Sequence, residues 1–377
     1  MRYIASHIKQ DLEKKMVFVG GPRQVGKTTL AKAILEASPK GGRYFNWDYD
    51  DDRRDIVKKR WHDEDALLVF DELHKFPCWK SWLKGIYDVS HERHRFLVTG
   101  SARLDIYRRG GDSLMGRYHY WRLHPFTLDE CPARITPAEA YHRLMTVGGF
   151  PEPFLNADER EARRWRKERF DRVLREDIRD LAPIRNIQLL GMFLDALRHR
   201  VGGMITISNL AGEIQVSPKT AKAWLELLER MYLVFVVWPY TRALPRAILK
   251  PPKVFFFDNA DVIGDEGARF ENLVATHLLK RLHYIEDRDG YRCDLHYLRD
   301  KEGREVDFVI LKDGAIEELI EVKLSEENIT RPLQYYVDRL RPKKATQIVA
   351  KLKRPYSGVD ITVTDPISYF NGDFFQA

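Results

Sequence analysis

Residues Gly21-Pro22-Arg23-Gln24-Val25-Gly26-Lys27-Thr28 satisfy G-x-x-x-x-G-K-[ST], set between an apolar run at 16–19 and a helix-like stretch at 28–36. Nothing else in the chain restricts the fold so strongly. The motif requires a strand to deliver the chain, glycines to let it curl and a helix to carry it away. Once curled, the backbone N–H groups converge on phosphate oxygens. Lys27 supplies a compact positive charge for the β- and γ-phosphates, and the Thr28 hydroxyl is a ligand for Mg2+. Residues 21–28, with Thr29 behind them, are therefore the expected site for a nucleoside triphosphate and its Mg2+.

The stretches that follow fit that expectation. Ala66-Leu67-Leu68-Val69-Phe70 is continuously apolar, as a central parallel strand covered on both faces must be. It ends in Asp71-Glu72, with Asp71 placed to order the Mg2+ shell and Glu72 to polarise the attacking water. A further strand at 96–98 ends in Thr99-Gly100-Ser101, whose hydroxyls are placed to sense the γ-phosphate. Strands at 44–47 and 118–121 complete an open α/β sheet, which binds ligands at the carboxyl ends of its strands. Between them lies a loop bearing Arg103, Arg108, Arg109, Gly110, Gly111, Gly116 and Arg117. It suits an arginine finger acting in cis or from a neighbouring copy, with Arg117 the first choice and Arg103 the second. His74 reads as structural.

A chain of 377 residues exceeds one ordinary core, so two or three domains are expected. The longest apolar run, 231–238, is far too short to cross a bilayer. The N-terminus lacks a signal-peptide core, so a cytoplasmic protein with no membrane partner is expected. Cys78, Cys131 and Cys293 lie far apart with no Cys/His spacing nearby, which argues against zinc and disulfides. The net charge of +7 divides into +5 over residues 1–130, +7 over 131–254 and −5 over 255–377. A basic body invites a polyanion, whereas an acidic tail is a poor surface for DNA.

After Gly148-Gly149-Phe150-Pro151 the chain reads as a charged helix over 160–181, with Trp165, Phe170, Val173, Leu174, Ile178 and Leu181 as its apolar stripe and a salt-bridged, solvated opposite face. Ser217-Pro218 then opens a second helix with Ser at the N-cap and Pro at the first helical position. That helix buries Ala221, Trp224, Leu225 and Leu228 and exposes Lys219, Thr220 and Lys222. A short helix from Ser208 precedes it, and strands at 233–238 and 254–257 follow, joined by a loop over 242–250. The layout is a winged helix-turn-helix, able to place its second helix in a DNA major groove. A helical lid or assembly element is the competing reading.

In the tail, a helix over 267–282 carries Glu271. Glu305-Val306-Asp307-Phe308-Val309-Ile310 and Leu319-Ile320-Glu321-Val322-Lys323 flank the turn Lys312-Asp313-Gly314. Aligning the apolar faces about a turn centred on Gly314 sets Asp307 directly across from Glu321. Two opposed carboxylates destabilise a hairpin unless something neutralises them; a divalent metal does so, with Lys323 beside it to orient a water.

The succession GPRQVGKTTL, LLVFDELHKFPCWKSWLKGIYD, FLVTGSARLDI and LMGRYHYWRLHPFTLDE resembles a family of bacterial and archaeal AAA+-type ATPases with a carboxy-terminal domain of unknown function. The resemblance implies that Lys27 and Thr28 bind nucleotide, that Asp71 and Glu72 are its acidic pair, Thr99 and Ser101 its sensor segment and Gly116-Arg117 its Gly-Arg step. It also implies adenine as the base, hence ATP. The tail resembles the PD-(D/E)XK nuclease superfamily, which implies Asp307 and Glu321 as Mg2+ ligands, Lys323 as catalytic lysine and Glu271 as the helix acid. The expected architecture is α/β: a P-loop domain over 1–130, a helical and winged-helix region over 131–254 and a restriction-endonuclease-like α/β domain over 255–377. The expected function is a Mg2+-dependent ATPase coupled to DNA binding or processing, in a homo-oligomer if the arginine finger acts in trans. The rival is an ATP-dependent protein-interaction switch whose nuclease fold is an inactive docking module.

Overall fold

Short, fully apolar runs separated by polar, helix-forming stretches leave a chain one compact solution, a parallel sheet with helices over its faces. The computed structural model describes residues 2–100, 114–174, 187–241, 250–370 and 372–375. By their contacts they divide into two compact units, Met1–His124 and Pro125–Ala377.

The first unit runs α1 (Ala5–Leu12), β1 (Met16–Gly20), α2 (Lys27–Glu36), β2 (Gly42–Asn46), α3 (Asp50–Lys58), β3 (Leu67–Asp71), α4 (Trp79–Ser90), β4 (Arg95–Thr99) and β5 (Tyr118–Arg122). The strands pair in parallel in the order β2-β3-β4-β1-β5. β1 and β3 are buried throughout, in keeping with their unbroken apolar runs. β4 lies between them, with Val19 and Asp71 both registered on Thr99. The phosphate-loop strand and the acidic strand thus end together, one strand apart. Beneath them Phe70 stacks between Phe45 and Phe96, at 5.5 and 6.5 Å between centroids, and meets the edge of Trp82 at 5.5 Å. Each such buried ring contributes about 1.5–3 kcal/mol.

The second unit opens with α5 (Pro137–Thr146), α6 (Pro151–Asn156), α7 (Glu159–Arg172), α8 (Ile187–Arg198), α9 (Ile207–Glu213) and α10 (Pro218–Arg230). It continues through β6 (Val234–Pro239), β7 (Lys253–Phe256), α11 (Glu266–Asp289), β8 (Cys293–Arg299), β9 (Glu305–Lys312), β10 (Ala315–Lys323), α12 (Arg331–Leu340), β11 (Lys344–Val349), β12 (Tyr356–Ser357), β13 (Thr362–Thr364) and α13 (Pro366–Tyr369). Its mixed sheet has the order β12-β13-β11-β10-β9-β8-β6-β7. β6 pairs antiparallel with β7 and parallel with β8, so the wing strands belong to the same sheet as the tail. The domain limit expected at 254/255 therefore runs inside β7.

Within α7 the expected solvated face holds for the exposed pairs Arg163–Glu159 and Arg164–Glu161. It fails at Arg169, which is buried: its guanidinium lies 3.9 Å from the Phe150 ring centroid and 3.6 and 4.0 Å from Asp261 and Asp258. Charge patterning along one helix does not reveal a buried acid pair contributed from about 90 residues downstream. The part of the expected helix that includes Ile178 and Leu181 lies outside the described residues.

Candidate functional site

The phosphate loop is set by its backbone. Gly21 has φ +138°, and a Cβ there would stand 2.3 Å from the Leu123 carbonyl oxygen, so only glycine turns the chain out of β1 at this point. Gln24 takes a left-handed φ of 64°. Val25 is buried, and its carbonyl accepts a hydrogen bond from Arg2 Nη1 at 2.8 Å. The other guanidinium nitrogen of Arg2 donates to the His124 carbonyl, and the Tyr3 hydroxyl to the Arg122 carbonyl at 2.8 Å. The residues before α1 thus clamp the loop from behind. Lys27, the first residue of α2, is buried and donates to the carbonyls of Gly21 (3.1 Å) and Pro22 (2.7 Å).

Facing the loop, Asp71 is buried and accepts three hydroxyls. Thr28 Oγ1 lies 2.6 Å and Tyr44 Oη 2.7 Å from Asp71 Oδ2, while Thr99 donates to Oδ1. Burial, then the Asp71 charge, hold the Tyr44 phenol well above its usual range. The expected sensor residue Thr99 thus has its hydroxyl committed to Asp71. The oxygen pair Thr28–Asp71 fits a hard divalent cation. Glu72 leaves the strand in a left-handed conformation (φ 56°), its carboxylate 3.3 Å from Lys75 and 3.7 Å from His74. Burial pushes Glu72 above the usual carboxyl value, with Lys27 and Lys75 pulling it back.

Gly21 through Thr29, Asp71, Glu72 and Thr99 thus come to one edge of the sheet. Arg117 does not join them. It precedes β5 at the end where Met16 begins β1, with the Met16 N–H bonded to the Arg117 carbonyl, about 16 Å of strand from Gly21. Its guanidinium pairs with Asp88, at 2.7 and 3.2 Å. Ser101 and Arg103 lie outside the described residues. Arg2 and Tyr44 were not anticipated. An N-terminal arginine carries no pattern, whereas Tyr44, on the strand beside the acidic one, offered a readable hydroxyl.

A second group of charges lies in the tail sheet. The β9–β10 turn uses Asp313 and Gly314, with φ 50° and 81°, and pairs Ala315 with Lys312. A bulge between Ile316 and Glu318 then shifts the register to Leu319 on Val309 and Ile320 on Phe308. The ladder ends there, and the Asp307 side chain reaches across to β10 just beyond it. The hairpin has a two-residue turn with a bulge beyond it, where a turn centred on Gly314 was expected. Asp307 Oδ2 accepts the Val322 amide at 2.8 Å, and Lys323 pairs with Glu321 at 2.7 Å. Glu321 Oε2 is buried without a hydrogen-bond partner. Burial, with Asp307 second, pushes Glu321 up to about 7.

Glu271 joins the same cluster, where burial and then the Asp307 charge push it up to about 7. Its Oε1 lies 3.0 Å from the ammonium of Lys253, which is also 2.7 Å from Glu305 and 3.6 Å from Asp307. Among the described residues no three His, Cys, Asp or Glu side chains gather in a group that could hold a metal ion. The set Asp307, Glu321 and Glu271 therefore does not fit a divalent ion in this arrangement. Lys253 and Glu305 were not anticipated, although a lysine opening the run Val254-Phe255-Phe256-Phe257 was a legible sign of a buried charge.

Three stretches of the chain match known families: an AAA domain over residues 13–131, a domain of unknown function (DUF8612) over 138–260 and another (DUF4143) over 266–365. The chain thus carries an AAA+-type P-loop ATPase domain followed by uncharacterised domains. Uncharacterized proteins of Mycobacterium tuberculosis and Mycobacterium bovis are each 25% identical to it over 288 residues, covering 76% of this chain and 60% of theirs. Among solved structures, the Holliday junction branch migration motor RuvB of Thermotoga maritima matches at 17% identity, covering 62% of this chain and 88% of that one, with a TM-score of 0.32. The Orc1 protein of Aeropyrum pernix in complex with DNA matches at 12% identity, covering 74% and 92%, with a TM-score of 0.31. No helix among the described residues is long and apolar enough to cross a membrane.

Proposed function

We propose that this protein is a Mg2+-dependent ATPase whose nucleotide cycle acts on a DNA-contacting winged helix. The observation that carries the first half is the 2.6 Å contact between Thr28, at the start of α2, and Asp71, at the end of β3. Thr28 and Asp71 would hold Mg2+, which supplies positive charge to the β- and γ-phosphates when bound. The chain does the rest. Inward-facing amides of residues 21–28 seat the phosphates, and the Lys27 ammonium moves from the Gly21 and Pro22 carbonyls to phosphate oxygens. Tyr44 and Thr99 fix the Asp71 carboxylate. Glu72 takes a proton from the attacking water as it lines up behind the γ-phosphate. Burial raises the proton affinity of Glu72 and so suits it to act as the base. Arg117, at the far end of its own sheet, serves the nucleotide of a neighbouring copy in a homo-oligomer.

The DNA half rests on α9, α10 and the β6–β7 wing. Ser217 Oγ caps α10 by accepting the Thr220 amide at 3.0 Å, and Lys219 and Lys222 are exposed on its first two turns. The order of helix, hairpin and Asp307/Glu321/Lys323 keeps the resemblance to a nuclease fold, but no cleavage step is assigned to it. The second reading, a tail that docks protein partners without cutting, is favoured by the ammonium of Lys253 standing among the carboxylates.

Lys27→Ala is expected to lose ATP binding in calorimetry, whereas Glu72→Gln binds ATP and turns it over at least ~100-fold more slowly. Normal turnover in Glu72→Gln removes the base from this reading. Lys219→Ala with Lys222→Ala is expected to weaken DNA binding and lower its salt slope by about 2. An unchanged slope leaves the ATPase in place and removes the winged helix from DNA.

A further inference from the structure

The tail carboxylates surround a buried cation that the nuclease resemblance does not account for. Lys253 is the first residue of β7, its side chain only 2% exposed, and its ammonium touches acids from two other elements: Glu271 on α11, and Glu305 and Asp307 on β9. The acids are engaged on their other sides as well. Glu305 Oε2 meets Arg299 at 2.6 Å, and Asp307 Oδ2 takes the Val322 amide at 2.8 Å. Glu271 Oε2 is covered by the Gly202 turn, where a Cβ would stand 2.4 Å from it.

The backbone fixes the source of this cation. Lys253 pairs with Val237 of β6 and bridges to Met204, and the Gly202 amide donates to the neighbouring Val254 carbonyl at 3.3 Å. The segment preceding α9 and β6 thus hold the Lys253 backbone, while α11 and β9 supply the acids that meet its ammonium. A divalent ion shared by Asp307 and Glu271 would need the Oδ1 and Oε1 oxygens that Lys253 already meets, next to its positive charge.

We propose that Lys253 is the resident cation of this cluster: its ammonium binds Glu271, Glu305 and Asp307 in place of a divalent metal, so that the nuclease-like site is a metal-independent lock between the wing and the tail sheet. The inference goes beyond the ATPase reading and stands or falls without it. Buried charges so arranged cost much when one partner is removed, since the others are left uncompensated.

The test uses the full chain without nucleotide. Wild-type protein is expected to melt at the same temperature in EDTA and in millimolar Mn2+, and to show no Mn2+ binding by electron paramagnetic resonance that Asp307→Asn removes. Lys253→Met is expected to melt lower in EDTA, to recover in Mn2+ and to bind Mn2+ at least ~10-fold more tightly than wild type, with that gain lost when Asp307→Asn is added. Wild-type Mn2+ binding that vanishes in Asp307→Asn overturns the proposal, as does a folded Lys253→Met that gains no Mn2+ affinity. If Lys253→Met does not fold, the wild-type and Asp307→Asn comparison decides alone. Calorimetry with ATP on the same preparations reads the phosphate loop separately.

Discussion

Asp71 shows how much of a site can turn on one carboxylate. Its three hydroxyl partners come from α2, β2 and β4, so its rotamer is set by three elements at once. Tyr44 is the partner that phosphate-loop chemistry does not itself require, which makes it the informative one to remove. Tyr44→Phe deletes one donor to a buried anion and keeps the ring, including its 4.7 Å contact with the Lys32 ammonium. The expected cost is about 1–3 kcal/mol in urea unfolding, with the Mg2+ dependence of ATP turnover shifted to higher concentration. An unchanged Mg2+ midpoint would mean that Thr28 and Thr99 orient Asp71 without help.

At the scale of elements, turns and caps set what faces what. The β9–β10 hairpin gains its register from a bulge, and the wing is tied to α11 through the Gly202 turn. Gly202 has φ +72°, and an added methyl would meet the Glu271 carboxylate; at Gly203 the nearest atom is the Arg200 carbonyl oxygen at 3.3 Å, with no left-handed backbone. Gly202→Ala is therefore expected to destabilise by about 1–3 kcal/mol, and Gly203→Ala by clearly less, in urea midpoints measured side by side. Equal losses would show that the turn tolerates a side chain and that Glu271 is not pinned there.

At the scale of the molecule, buried titratable groups tie the second unit's stability to pH in opposing directions. His277 accepts the Leu128 amide on Nε2 at 2.9 Å and donates from Nδ1 to the Leu273 carbonyl at 2.7 Å, an arrangement open only to the neutral ring. Burial, above all, lowers it from 6.5 to about 3. Between those values the unfolded chain binds a proton the folded one refuses, so stability present above pH 6.5 is lost as pH falls. Asp258, raised by burial to about 6, acts with the opposite sign: its contribution is present below pH 3.8 and is lost as pH rises through about 6. The difference between wild type and His277→Gln isolates the histidine. Wild type is expected to lose ground to the variant by up to about 1.4 kcal/mol per pH unit as pH falls below 6.5. Parallel curves would mean that the ring is charged in the folded state.

By itself the sequence determined the phosphate loop, the acidic strand, the four further strand positions in the first unit, the Ser217-capped helix with the strands that follow it, and the β9 and β10 strands that carry Asp307 and Glu321. Each is written in a local pattern: a glycine spacing, an apolar run, an N-cap serine or strand alternation. Only the tertiary structure decided that Arg117 lies at the wrong end of its sheet for its own nucleotide, that Arg169 is buried against Asp258 and Asp261, and that Glu271 answers to Lys253. Those outcomes depend on strand order and on charges brought together from distant parts of the chain. A buried charge is held by whichever partner the fold delivers to it, and spacing along the chain does not encode that meeting.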